Sequence, residues 1–382
     1  MTIYFDNSIT SRPSEKAVSE MMPFLTEHYG AVMSPHKMGQ EVCLQMNNAA
    51  EEIIKLLGGR EKDRFIFTSS GAEAINQVYF SVYFGVTEKT GKNHFITTST
   101  EEAPFLMGIE RLEKMGCVAK IVSPDAYGQL TEDNLTDAIT SRTALVSISL
   151  ANGMTGVLQP VEEIAALCRE RGILLHLDVT HALGKIPYDF SFADYITFNG
   201  EQLHAPAGTG GLFVREGVPC HPLICGGMEQ EGFRAGNLPT ALFAALGMAA
   251  KEAFDARDYL ATEVARLRNR LEAEIVANLS EARPLFRDVE RVGHISAIAF
   301  PAVSNEALAY LLQRRGVCAS IGGGPFQQIG LILAATGLSD MQAHSALSFS
   351  LSRYTQEAEI EEACKIIVEE AKKLRKLSRG LV

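Results

Sequence analysis

Tryptophan is absent from the 382 residues, and no lysine falls between Lys185 and Lys251. No apolar run approaches the ~18 residues of a membrane-spanning helix, so a helical membrane protein is not expected. Residues 1–10 carry Asp6 and Asn7 and lack a basic start followed by an apolar segment, so no secretory leader is expected. The seven cysteines, at 43, 117, 168, 220, 225, 318 and 364, are odd in number, scattered and without CxxC spacing. That pattern suits reduced thiols in a cytoplasmic protein and argues against a disulfide framework or structural zinc. Basic charge is also in short supply. A net charge of −11 argues against a general nucleic-acid or membrane-surface binder. The one dense basic run, Lys372 to Arg379, reads as a solvated helix end.

What is present is enough apolar material for a large core, 46% of the chain. The most informative stretch is Gly172 to Gly211. An apolar run, Ile173 to Leu177, ends in Asp178. A second, Tyr195 to Phe198, ends in Asn199-Gly200-Glu201-Gln202, and a glycine-rich turn then leads into Leu212-Phe213-Val214. Short apolar runs bounded by polar and glycine residues predict strands buried on both faces. In open α/β sheets the ligand groups gather just past the carboxyl ends of such strands, where Asp178 and Gln202 fall.

The same alternation runs from about residue 60 to 215. Strands are expected at 64–67, 94–98, 118–122 and 144–150, with helices between them. The fold class is therefore α/β, a mainly parallel sheet covered by helices. Earlier helices are expected over 14–28, with Ser14 as cap, and over 38–57, stopped by Gly58-Gly59. Thr68 to Glu73 joins a strand to a helix N-terminus through small residues, a place suited to anions. The expected organisation is an arm over 1–20, a large domain over 21–240, a connecting helix over 241–275 and a small α+β domain over 276–382.

Several motifs in this order resemble the class V aminotransferase group of pyridoxal-phosphate proteins, specifically the cysteine desulfurases. They are Tyr4-Phe5-Asp6-Asn7, the segment 67–73, Asn152-Gly153 through Gln159-Pro160, His176-Leu177-Asp178 with Gly184-Lys185-Ile186-Pro187, Pro206 to Leu212, and Ser350 to Thr355. The resemblance implies the fold of type I pyridoxal-phosphate transferases, with a seven-stranded sheet, and a homodimer. It places Asp178 beside the ring nitrogen of the cofactor and Asn152 at the ring hydroxyl. Gly71 and Ala72 fall in the phosphate loop, and Asn7 and Arg353 at the substrate. Read on residue type alone, Asp178 also suits a helix cap and Arg353 a surface ion pair.

The departures from the family pattern carry more information. The family tethers its cofactor through a lysine in a segment of the form Ser-x-His-Lys, and here Gln202 stands at that position. An amide nitrogen cannot form the imine. Asn199 and Glu201 replace the phosphate-holding serine and histidine. Glu102 takes the place of the ring-stacking histidine, and His181 that of a glutamine. Pro325 falls near the position of the nucleophilic cysteine. Cys318, seven residues upstream in an expected strand, reads as core. The implied function is a desulfurase-like protein with a degenerate site, a binding or regulatory homologue that does not release sulfur from cysteine. Sulfur-transfer or iron-sulfur assembly proteins are the partners it implies, and a small amino-acid-like molecule the ligand. Two alternatives keep an enzyme. In one, pyridoxal phosphate binds noncovalently for altered chemistry. In the other, Glu102, Asp178, His181, Glu201 and His204 converge on a metal or act as acid and base.

Overall fold

The apolar runs and the amphipathic stretches between them form the expected elements in a computed structural model. It describes residues 2–60, 62–190, 192–324 and 328–379. The arm contributes a two-residue strand, Ile3–Tyr4 (β1). Ser14 then caps Glu15–Met21 (α1) by accepting from Ala17 N. The single helix expected over 14–28 is interrupted at Pro23, which starts a separate helix, Pro23–Thr26 (α2). Proline lacks an N–H, so it suits a first helical turn and not an interior. Lys37–Leu57 (α3) ends at Gly58 in the left-handed conformation, as read from the sequence.

Strands and helices then alternate: Arg64–Thr68 (β2), Gly71–Val82 (α4), Glu88–Thr90 (α5), His94–Thr98 (β3), Ala103–Lys114 (α6), Val118–Val122 (β4), Glu132–Ala138 (α7), Thr143–Ser149 (β5), Val161–Arg171 (α8), Leu174–Asp178 (β6), Tyr195–Asn199 (β7) and Gly210–Val214 (β8). They build a seven-stranded sheet in the order β2-β8-β7-β6-β5-β3-β4. All neighbours are parallel except β8, which runs antiparallel to β7 and β2. Residues 200–209 are too few for a crossover, so β8 must turn back beside β7. Gly210 lets it pass under the start of α4, where an added Cβ would lie 2.5 Å from the Ser70 carbonyl carbon.

Thr240–Tyr259 (α9), a π-helical turn at Leu260–Val264, and Ala265–Asn278 (α10) follow one another as a long helical stretch. Beyond it lie Arg283–Pro284 (β9), Ile295–Ala299 (β10), Asn305–Arg314 (α11), Val317–Cys318 (β11), Ile329–Ala335 (α12), Asp340–Ala343 (α13), Ala346–Ser350 (β12) and Glu357–Arg379 (α14). The antiparallel sheet β12-β10-β9 is separate from the seven strands, and β11 pairs in parallel with β1 of the arm. The strand expected around Cys318 is only two residues long. Among the described residues no helix is long and apolar enough to cross a membrane.

Candidate functional site

Three strand ends define the floor of the site. In register, Ser149 of β5 faces Asp178 of β6, and Asp178 faces Thr197 of β7. Asp178 is 6% exposed. Its Oδ1 accepts from Thr180 N at 2.9 Å and its Oδ2 from Thr197 Oγ1 at 2.7 Å. Burial pushes its carboxyl above the usual range despite these bonds, and the charge of Glu102 adds to the effect. Because Thr197 gives its proton to Asp178, it accepts from His176 Nε2 at 2.9 Å, which leaves His176 Nδ1 to face Ser147 Oγ at 2.7 Å. His176 is buried and pushed down to about 3, so this hydrogen-bonded row beneath Asp178 stays neutral.

Beside Asp178 lies Glu101, a residue the sequence reading passed over in favour of its neighbour. Glu101 Oε2 accepts from Ser149 Oγ at 2.5 Å, and Oε1 from Thr98 Oγ1 at 3.0 Å. Ser149 N lies 3.1 Å from both oxygens. Burial outweighs these bonds and pushes the carboxyl up to about 7. A carboxylate raised on folding binds more protons in the native than in the unfolded state. Its contribution therefore lowers stability as pH rises from about 4.5 to about 7. Glu101→Gln is expected to flatten that part of the profile, seen as the wild-type minus variant difference in urea midpoints across this range.

Glu102 and His181 pair with each other, His181 Nε2 to Glu102 Oε1 at 2.9 Å. Burial would raise the Glu102 carboxyl, but the His181 hydrogen bond and charge outweigh it and hold it below the usual range. The Glu102 side chain is still 41% exposed, so water screens the pair. Gly153 permits this placement, since an added Cβ would sit 2.4 Å from His181 Nε2. The cavity around this pair is small, about 20 Å³, and is lined by Ser8, Ile9, Thr100 to Glu102, Asn152 to Met154, His181 and Ile332.

A row of side-chain amides joins the start of α4 to the arm. Gly71 N donates to Asn199 Oδ1 at 3.4 Å, and Asn199 Nδ2 to Gln202 Oε1 at 2.8 Å. Gln202 Nε2 donates to both Ser8 O and Ile9 O at 2.9 Å. Gln202 is 5% exposed. Ala72 is exposed in the first turn of α4, where Asn76 Nδ2 donates to its carbonyl. Glu73 ties the same turn down by accepting from Ser69 and from Arg234.

The other expected site residues are committed to the protein. Asn152 Oδ1 accepts from Met154 N and Thr155 N at 3.0 Å, while its Nδ2 donates to Thr100 O. Asn7 Nδ2 donates to Tyr4 O and Ser350 O. Arg353 Nη2 lies 3.3 Å from Glu252 Oε2, and Glu252 also accepts from Ser14 Oγ. Cys318 lies in β11, partly exposed. Pro325 lies outside the described residues.

The convergence expected of Glu102, Asp178, His181, Glu201 and His204 needs correction. The first three share the strand-end region. Glu201 instead accepts from Thr10 Oγ1 at 2.6 Å, and its carbonyl accepts from Ser11 Oγ. His204 Nδ1 lies 2.8 Å from Arg12 O, and its ring packs edge-on to Tyr354. The short 3₁₀ turn Glu201–Leu203 sends Glu201 to the arm while Gln202 meets Asn199. For the same reason Asn199, not Glu201, meets the Gly71 N–H. Among the described residues no three His, Cys, Asp or Glu side chains gather as metal ligands would.

Comparison with known proteins gives one pattern along the whole chain. The family described as Aminotransferase class-V matches residues 3–362. Cysteine desulfurase of Trichormus azollae is 34% identical over 381 residues, covering 98% of this chain and 94% of that protein. Cysteine desulfurase NifS of Azotobacter vinelandii is 33% identical over 381 residues, with coverage of 98% and 94%. A solved NifS-like protein superposes with a TM-score of 0.90 at 30% identity, covering 97% of this chain and 99% of that one.

Proposed function

The chain belongs to the class V aminotransferase family, and from that premise we propose that it is a noncatalytic homologue of the cysteine desulfurases, acting by binding rather than by releasing sulfur. The observation that carries this reading is the bonding of Gln202. Its amide carbonyl is used by Asn199 and its amide nitrogen by the arm. An amide supplies no nucleophile for an imine.

The family's cofactor is pyridoxal phosphate, an electron sink that needs a tether, a phosphate cradle and a partner for its ring nitrogen. Asp178 suits the last requirement. The residues at the other two positions do not fit the group. Gln202 offers no amine for the tether, Asn199 takes the Gly71 N–H that a phosphate would use, and at the ring-facing positions Glu102 with His181 borders a cavity of about 20 Å³. That is room for about one water, which needs 10–15 Å³. Asn152, which would favour a noncovalent cofactor, is bonded to Thr100, and Arg353, which would favour substrate, turns its Nη2 to Glu252. On this reading the protein is a cytoplasmic homodimer whose partners are sulfur-transfer or iron-sulfur assembly proteins, and an amino-acid-like molecule is its ligand. Sulfide release from L-cysteine, with excess pyridoxal phosphate and a thiol reductant, is expected to match the protein-free mixture. A rate that scales with protein concentration overturns the proposal.

A further inference from the structure

Gln202 borders another cavity of about 20 Å³, and the ionisable side chains that line it are all bases, of which burial keeps His204 and His294 neutral near pH 7. Lys185 comes from the loop after β6, His204 from the end of the 3₁₀ turn, His294 from the residue before β10, and Arg353 from just past β12. Lys185, His204 and His294 are 8%, 6% and 3% exposed. The Arg353 side chain is 8% exposed. Among the described residues no carboxylate lines the cavity. Arg353 itself pairs with Glu252, which does not line the cavity.

Hydrogen bonds leave polar atoms over. Lys185 Nζ donates to Thr180 O at 3.2 Å, one of its three protons. His294 Nε2 is fully buried and has no partner among the described residues. Buried basic groups without an acid are costly, and the cost is relieved by loss of a proton or by an anion. A cavity of this volume takes one water-sized body. A halide is only slightly larger than a water, whereas an oxyanion such as phosphate is far too large.

We propose that this cavity is a binding site for one halide ion, chloride under ordinary conditions, held by Lys185 Nζ, His294 Nε2 and the Arg353 guanidinium. The site is distinct from the Glu101 cavity and does not depend on the reading of Gln202. Burial, with Arg353 second, lowers the Lys185 ammonium to about 7. The groups facing Lys185 are Arg353, His204 and His294, and His294 is further faced by Arg268 and His181. All are basic, so an anion binds the protonated lysine best, below about pH 7.

The test is thermal unfolding at fixed ionic strength in sodium chloride against sodium gluconate, whose anion cannot enter. Chloride is expected to raise the midpoint saturably by on the order of 2 °C at pH 6. The gain should shrink at pH 8.5 and vanish in Lys185→Met. Equal midpoints in both salts at pH 6, or a gain retained in Lys185→Met, overturns the proposal. If that variant does not fold, bromide-soaked crystals of the unaltered protein decide. An anomalous peak between Lys185 and His294 supports the site, and a cavity without one contradicts it.

Discussion

Gln202→Ala is expected to lose roughly 2–4 kcal/mol of stability and to free the N-terminal arm. The side chain is buried and makes three bonds of 2.8–2.9 Å, one accepted and two donated. Truncation leaves Asn199 Nδ2, Ser8 O and Ile9 O without partners, and each buried orphan costs about 1–3 kcal/mol unless water reaches it. The chemistry of the replacement then sets an order. Lysine can donate to both arm carbonyls but cannot accept from Asn199, so Gln202→Lys should be hurt less than alanine. Glutamate has no donor and sets a carboxylate against two carbonyl oxygens, so Gln202→Glu should be hurt more than lysine. Urea midpoints give the order, and limited proteolysis near residues 8–11 reads the arm. A glutamate variant as stable as the unaltered protein would mean that the arm bonds contribute little.

The larger loss is expected away from the cleft, at Glu272→Ala. Glu272 lies on α10 with its side chain 3% exposed. Its Oε1 accepts from Arg291 Nη1 at 3.0 Å and from Ser296 Oγ at 2.8 Å. Arg268 approaches at 4.0 Å and Arg287 at 3.6 Å. Removing the carboxylate strands two buried guanidinium groups, a change that costs roughly 3–5 kcal/mol. Burial already lowers Arg268 to about 10, with Arg291 adding to it. The cluster also anchors the segment holding Asn152, because Arg291 bridges Val157 and Leu158 N donates to Glu290 O. An apolar triple variant, Arg268→Met, Glu272→Leu and Arg291→Met, should lose much less than the single alanine, since no buried charge is left alone. Equal losses in guanidinium unfolding would assign the effect to packing rather than to charge.

The fold was legible where local pattern decides it. Ser14, Gly58 and the apolar runs ending in Asp178 and Asn199 carry their own signals of cap, stop and strand. Pro23 carried one too, and the break it makes follows from its missing N–H. The bonds within the site were not legible, because they join residues far apart in the chain. Gln202 finds Ser8 and Ile9, and Arg353 finds Glu252, across spans that no periodicity encodes. Gln230 is a further case: its side chain pairs with both Phe67 N and Phe67 O on the edge strand β2. Glu101 could have been found. An acidic residue just past a strand end, beside two other strand ends, sits where burial and function meet. The reading of Glu201 failed because sequence position alone does not fix which way a 3₁₀ turn faces.

The account rests on an amide, not an amine, at residue 202, and covalent trapping tests that most directly. The purified protein would be incubated with pyridoxal phosphate, reduced with borohydride and measured by intact mass and peptide mapping. The expected result is no imine absorbance band and no stoichiometric pyridoxyl group on any residue of the cleft. One reduced pyridoxyl group per chain on a cleft lysine, Lys185 above all, would contradict it.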